Sequence, residues 1–274
     1  MQVSSDPLLS LRPFIETPVN YYQAHYHEVI LSFTFYHGLY LISPYISKLL
    51  FKDNYTKLSF KEKTNFDIHI VAMVQCLASI AMIIPLYGNV ELAANPVLGY
   101  LPYASMVSSL TMGYFIWDLY VCLRFFDLFG FPFLLHAVAS LYVFTTTLKP
   151  FCQGWVAAFL SFELTGPFMN LNWFINRLPA GSVPFWVQAA NGLILIAMFF
   201  FVRIIWGLYA VYNAAWQMWE VRDYLPWWLP VSIIVLNASL NTLNIIWFRK
   251  MVSIALKAFS GDKKKEKTTE KKDE

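Results

Sequence analysis

Seven stretches of this chain are apolar for long enough to cross a lipid bilayer, and that spacing restricts what the chain can fold into more than any other feature. A hydrocarbon core is about 30 Å thick, and a helix needs roughly 20 mostly apolar residues to span it. The stretches are Glu28–Phe51, Asp67–Tyr87, Tyr103–Phe126, Phe131–Leu148, Phe151–Asn170, Phe185–Tyr212 and Trp227–Phe248. With 58% hydrophobic and only 14% charged residues, the 274-residue chain has too little polar surface for a soluble domain of its size. The expected class is therefore an all-α polytopic membrane protein of about seven helices. Lys149-Pro150 leaves almost no loop between the fourth and fifth stretches, which should form a tight hairpin. The long sixth stretch should tilt or project beyond the core. Trp216, Trp219, Trp227 and Trp228 flank one loop as an interfacial aromatic belt would.

Positive charges set the expected orientation. Lys48, Lys52, Lys57, Lys61 and Lys63 lie between the first two stretches, and Arg249, Lys250 and a lysine-rich tail follow the seventh. Seven crossings put both groups on one side, which the positive-inside rule makes cytosolic. Gly88–Pro102 carries no Lys or Arg and falls opposite, whereas Lys149 and Arg222 run against the rule in short loops. The N-terminus is then lumenal and the C-terminus cytosolic. This divides the chain into a lumenal segment (1–27), a first helix with its basic cytosolic loop (28–65), a core of helices (66–250) and a basic tail (251–274). The net charge of +3 sits mostly in the tail, so it speaks for topology and against a nucleic-acid partner. Lys271 and Lys272 stand fourth and third from the C-terminus, the spacing of retrieval signals read by the COPI coat, which implies residence in the endoplasmic reticulum. The Asn54-Tyr-Thr56 sequon would face the cytosol and stay unmodified. The start of the chain lacks a basic-then-apolar leader, and no cleaved signal peptide is expected. Cys76, Cys122 and Cys152 lie in apolar stretches without metal-like spacing and read as small buried hydrophobes.

Polar residues interrupt the apolar stretches at similar depths. Counted from the expected cytosolic ends, Asp118 is about 12 Å deep, His136 about 8 Å and Glu163 about 10 Å. Isolated charges at such depths are costly, so the three are candidate lining of a functional cavity, in which they would be hydrated or paired. Glu163 lies one turn before Gly166-Pro167, which is expected to bend the fifth helix near its cytosolic exit. Asn170, Asn191, Asn241 and Asn244 are candidate polar groups of the same cavity, although interhelical hydrogen bonding is the plainer role for asparagines. Asn237 shares a helix face with Asn241 and Asn244. Arg203, counted into the lumenal half, reads as a snorkelling or paired structural charge. His25 and His27 have no evident third ligand and read as interfacial. No metal-ligand set, phosphate-binding glycine loop or serine nucleophile motif stands out, and no cofactor is expected.

Three ordered motifs carry a family resemblance: "GYFIWDLY" (Gly113–Tyr120), a lone histidine in "FPFLLHAV" (Phe131–Val138), and "ELTGPFMNLNWF" (Glu163–Phe174). Together they resemble TLC-domain proteins, a family that includes ceramide synthases, over roughly Phe66 to Lys250. The likeness is greater to TLC-domain-containing proteins of unassigned biochemistry than to the synthases. It implies a six-helix barrel, open to the cytosol, that holds acyl chains, with the first helix outside it. Ceramide synthases carry adjacent histidines at the fourth-stretch position and paired aspartates on the next helix. Here Leu135 and Ala137 flank His136, and the next helix offers only Glu163. The expected function is to bind or sense acyl lipids, with membrane lipids as partners, and so to contribute to lipid homeostasis. The alternatives are an acyltransferase using His136, oriented by Glu163 or Asp118, and escort of membrane cargo between the endoplasmic reticulum and the Golgi.

Overall fold

The structure is a computed structural model that describes residues 4–179 and 181–270, with side chains up to Lys257. It is all-α, with no strand among the described residues. The helices are α1 (Tyr21–Phe51), α2 (Asp53–Thr56), α3 (Phe60–Ile83), α4 (Val90–Ala94), α5 (Pro102–Arg124) and α6 (Phe126–Thr147). They are followed by α7 (Val156–Leu160), α8 (Gly166–Ile175), α9 (Phe185–Met198), α10 (Gly207–Glu220) and α11 (Trp228–Glu270). Lys271 and Lys272 lie outside the described residues.

Local chemistry explains the main starts and breaks. The Asn20 side chain accepts from the Gln23 N–H to open α1. Ser59 and Glu62 form a reciprocal capping box at the head of α3. Pro102 opens α5, where its missing N–H costs nothing. Gly130, with φ 71°, interrupts α6 just before the start read from the sequence.

Among the described residues six helices are long and apolar enough to cross a membrane, counting Phe185–Glu220 as one rod, not the seven continuous helices read from the sequence. The fifth stretch accounts for the difference, because it is a chain of short pieces. A 3-10 turn (Gln153–Trp155) leads into α7, a second 3-10 turn (Ser161–Thr165) follows, and α8 completes the run. It still traverses the bundle. At one end Gln153 bonds the Leu101 N–H (2.8 Å) and the Ser105 hydroxyl (2.8 Å). At the other end Phe174 packs on Phe51 and Phe66.

Pro167 supplies a reason for the break. Lacking an N–H, it cannot bond the carbonyl four residues back at Glu163, and the Gly166 N–H bonds that carbonyl instead. The shorter loop tightens the backbone into the 3-10 turn that carries Glu163. The Gly166-Pro167 pair therefore starts α8 and does not bend a continuous helix near its exit. A Cβ on Gly166 would sit 2.5 Å from Cys76 Cβ, so glycine also allows α8 to approach α3 closely.

Neighbouring crossings close a ring: α3, the broken fifth crossing, the Phe185–Glu220 rod, α11, α6, α5, and back to α3. α1 packs against α5 and α3 from outside the ring. Gly113 permits that contact, because a Cβ there would collide with the Val29 carbonyl and Ser32. The six-member barrel with a separate first helix is thus present. The link from α6 to the fifth crossing is short, yet α6 packs mainly on α5 and α11, so the expected hairpin does not form a tight pair. The rod is about 54 Å long at 1.5 Å per residue, far longer than a hydrocarbon core.

Candidate functional site

Glu163 and His136 meet inside the ring, on the wall of one cavity of about 60 Å³. Arg203, Asn237 and Asn244 share that wall, and Phe115, Phe144, Phe159 and Phe162 supply much of the apolar remainder. A water molecule occupies about 30 Å³ of liquid, so the volume suits a small polar group and not a folded acyl chain.

Arg203 organises this cavity, and the sequence reading did not include it. Its Nε donates to Thr165 Oγ1 (2.9 Å), one terminal nitrogen to Asn244 Oδ1 (3.4 Å) and the other to the Phe162 carbonyl (3.2 Å). The guanidinium also lies over the Phe199 ring at 5.3 Å. Arg203 is 7% exposed, which removes the snorkelling reading, and neutral groups hold it in place of the expected charge partner. It occupies a π-helical stretch, Phe199–Trp206, that links α9 to α10. Such stretches shift a side chain's heading relative to an α-helix, which defeats a count along a regular helix. The two breaks are complementary, since the Phe162 carbonyl and Thr165 hydroxyl of the 3-10 turn bond the arginine of the π stretch. Irregular backbone at membrane depth is tolerated where protein surrounds it.

Glu163 and Arg203 share the cavity without a direct ion pair among the described residues. No hydrogen bond to a described residue holds the Glu163 carboxylate or the His136 ring. His136 instead makes edge contacts with Phe115 and Trp247. No carboxylate therefore orients its imidazole, contrary to the arrangement expected of a general base. Asp118 is one turn beyond Phe115 on α5; it lies outside the cavity wall but within electrostatic reach of Glu163.

The four asparagines divide. Asn244 lines the cavity. Asn170 accepts from His69 Nδ1 (2.7 Å) and donates to the Gly166 carbonyl (3.0 Å), tying α8 to α3. Asn191 donates to the Phe168 carbonyl (3.0 Å), tying α9 to α8. Asn241 is half-buried towards Gly207, and its Oδ1 lies 3.5 Å from where a Cβ there would be. These last three are contacts between neighbouring elements and not cavity groups, as the plainer reading of asparagine anticipates.

Two turns further along the rod and α11 lies an open groove of about 270 Å³. Asn172 and Asn176 of α8 and Gln188 of α9 supply polar groups, and Leu193, Ile196 and Met251 supply apolar wall. Ile196 and Met251 are each seven residues from a cavity residue, Arg203 and Asn244, so groove and cavity lie in series along one seam, about 10 Å apart. Between them Phe199 and Phe248 stack at 6.3 Å.

The comparisons with known proteins agree with this architecture. The TLC domain matches residues 65–253. The chain belongs to the TLC-domain family. It is 43% identical to Topoisomerase I damage affected protein 4 of Saccharomyces cerevisiae, over 85% of each chain. It is 35% identical to an uncharacterized TLC domain-containing protein of Schizosaccharomyces pombe, over 88% of this chain and 82% of that one. It is 27% identical to human TLC domain-containing protein 4, over 83% of this chain and 88% of the relative. As a TLC-domain protein it sides with these relatives and not with the ceramide synthases. A second polar cluster, Asp6, His25 and Glu28, lies outside the TLC domain. It corrects the reading that His25 has no further candidate ligands nearby.

Proposed function

We propose that this TLC-domain protein binds or senses acyl lipids and thereby contributes to lipid homeostasis in the membrane of the endoplasmic reticulum. The observation that carries the reading is the series of groove, aromatic partition and buried arginine on one seam between the sixth and seventh crossings. An acyl chain fits the groove, which approaches the roughly 300 Å³ lower bound of small-molecule pockets. Its carboxyl or ester end would be drawn to Arg203 once Phe248 swings aside. A guanidinium in apolar surroundings is a strong partner for such oxygens. Glu163 and His136 set the polarity opposite.

Acyl transfer through His136 receives less support, because no carboxylate holds the imidazole in one tautomer. The proposed orientation, with the N-terminus lumenal and the C-terminus cytosolic, rests on the lysines between the first two crossings and after the last. Asn54 would then escape glycosylation, and an endoglycosidase-sensitive Asn54 in intact cells would reverse the orientation.

The test is native mass spectrometry of the detergent-purified protein after equilibration with vesicles of mixed acyl lipids. Wild type should retain an exchangeable acyl lipid, and Arg203→Gln should retain at least about tenfold less, the loss of a charge-assisted bond. A covalent acyl mass on His136 would establish transfer in place of handling. Equal retention by wild type and Arg203→Gln, or retention by neither, would overturn the reading.

A further inference from the structure

The N-terminal segment ends in a second constellation that the lipid reading does not use. His25 and Glu28 are wholly buried in the first turns of α1, and Asp6 reaches them from the irregular segment before it, its side chain also 0% exposed. His25 Nδ1 is 3.1 Å from Glu28 Oε2 and 3.4 Å from Asp6 Oδ2. Donor atoms of all three residues fall within 4.8 Å of one another. Asp6 Oδ2 is buried without a hydrogen-bond partner among the described residues and is aimed into this cluster.

We infer that Asp6, His25 and Glu28 form a binding site for a divalent transition-metal ion, best suited to Zn2+, which clamps the N-terminal segment to α1. Three features carry this assignment. The first is geometry. Ligands held about 2.0–2.1 Å from a tetrahedral zinc ion are about 3.3–3.4 Å apart, close to the separations seen here.

The second is charge. Two buried carboxylates and one neutral imidazole carry two negative charges, which a divalent cation cancels. Without one, the excess must be met by protons or left unpaired at high cost. The third is the tautomer. His25 Nε2 stands 3.3 Å from the Tyr100 hydroxyl. An Nε2–H donated to that oxygen leaves the Nδ1 lone pair facing the carboxylates, the orienting contact that metal-bound histidines keep on their other nitrogen.

The imidazole disfavours Mg2+ and Ca2+, which prefer all-oxygen sites. His27 flanks the cluster without joining it. Its Nε2 donates to the Leu8 carbonyl at 2.9 Å and is 3.7 Å from Glu28 Oε1. A fourth position is left for water.

The surrounding contacts show what a metal would fasten. The Ser4 carbonyl accepts from the Tyr103 N–H (3.4 Å), and Arg12 Nε donates to the Ile15 carbonyl (2.7 Å). Another Arg12 nitrogen reaches the Ala24 carbonyl at 3.4 Å, and the Tyr26 hydroxyl donates to the Pro13 carbonyl. The segment thus lies folded across the ends of α1 and α5, and the proposed ion is its innermost fastening.

The experiment uses the full chain purified in detergent, with elemental analysis, Zn2+ titration after chelation, and hydrogen exchange of the Tyr103 N–H, which donates to the Ser4 carbonyl, as readouts. Wild type should bind one Zn2+ per chain, prefer it to Mg2+, and exchange the Tyr103 N–H faster when chelated. Asp6→Asn preserves shape and should keep wild-type helix content while losing affinity by at least about 100-fold, since it removes a ligand and not merely a supporting partner. Tyr100→Phe should weaken binding about 10–100-fold through loss of the orienting contact. Wild-type protein that takes up no Zn2+ would overturn the proposal in favour of a proton-bridged cluster. Zn2+ binding unchanged in Asp6→Asn would place any metal elsewhere and overturn it equally.

Discussion

The two buried polar clusters of this protein are built in opposite ways. Around Asp6, His25 and Glu28 the histidine nitrogen lies 3.1 and 3.4 Å from the two carboxylates, and donor atoms of all three fall within 4.8 Å of one another. Around Arg203 the cation is held by neutral groups, while the carboxylate and histidine opposite stay unbonded across a cavity of about 60 Å³. A tight cluster fastens backbone, whereas a loose one keeps polarity available to a guest. The tight cluster joins an irregular segment to a helix. The loose one lies where two irregular backbone stretches face each other inside the ring.

The contrast can be broken most forcefully at Glu163. Glu163→Lys adds a second cation to the cavity of Arg203 and should destabilise the protein by about 3–5 kcal/mol, the cost of an uncompensated buried charge. Thermal unfolding in detergent would measure it, and near-wild-type stability would mean that the carboxylate position is open to water. Gly113→Val is the matched disturbance outside both clusters. Its side chain collides with the Val29 carbonyl and Ser32, so it should cost about 1–3 kcal/mol by forcing α1 from α5 without altering retained lipid.

Glu28→Leu and Glu163→Leu sharpen the comparison further. Replacing Glu28 removes a partner of buried His25 and should cost about 1–3 kcal/mol. Replacing Glu163, which forms no hydrogen bond with a described residue, should cost less than about 1 kcal/mol and change which lipid is retained. Equal losses in the two variants would erase the distinction between the clusters. Asn191→Ala should cost about 1 kcal/mol for the lost bond to the Phe168 carbonyl, with lipid retention unchanged. For location, Lys271→Ser with Lys272→Ser should release the protein from the endoplasmic reticulum at no cost in stability. An unchanged distribution by fluorescence microscopy would assign residence to another segment.

The sequence by itself determined the membrane class and the apolar crossings, and it singled out Glu163 and His136 as polar groups inside them. Runs of apolar residues and isolated polar ones are local properties, and lipid allows few alternatives for either. The tertiary structure decided the rest. Counting depth at 1.5 Å per residue assumes straight α-helices, and it fails where Pro167 deprives the Glu163 carbonyl of its N–H and where Phe199–Trp206 winds as a π-helix. Arg203 was thereby left out of the cavity set, although those two breaks are what bring it to the cavity of Glu163. Asp6 was invisible for a different reason. It precedes His25 by 19 residues in a segment with no helical period, and only the folding of that segment across α1 brings its carboxylate to the histidine. Periodicity reveals which residues share a helix face, but contacts made through irregular backbone have no period to read.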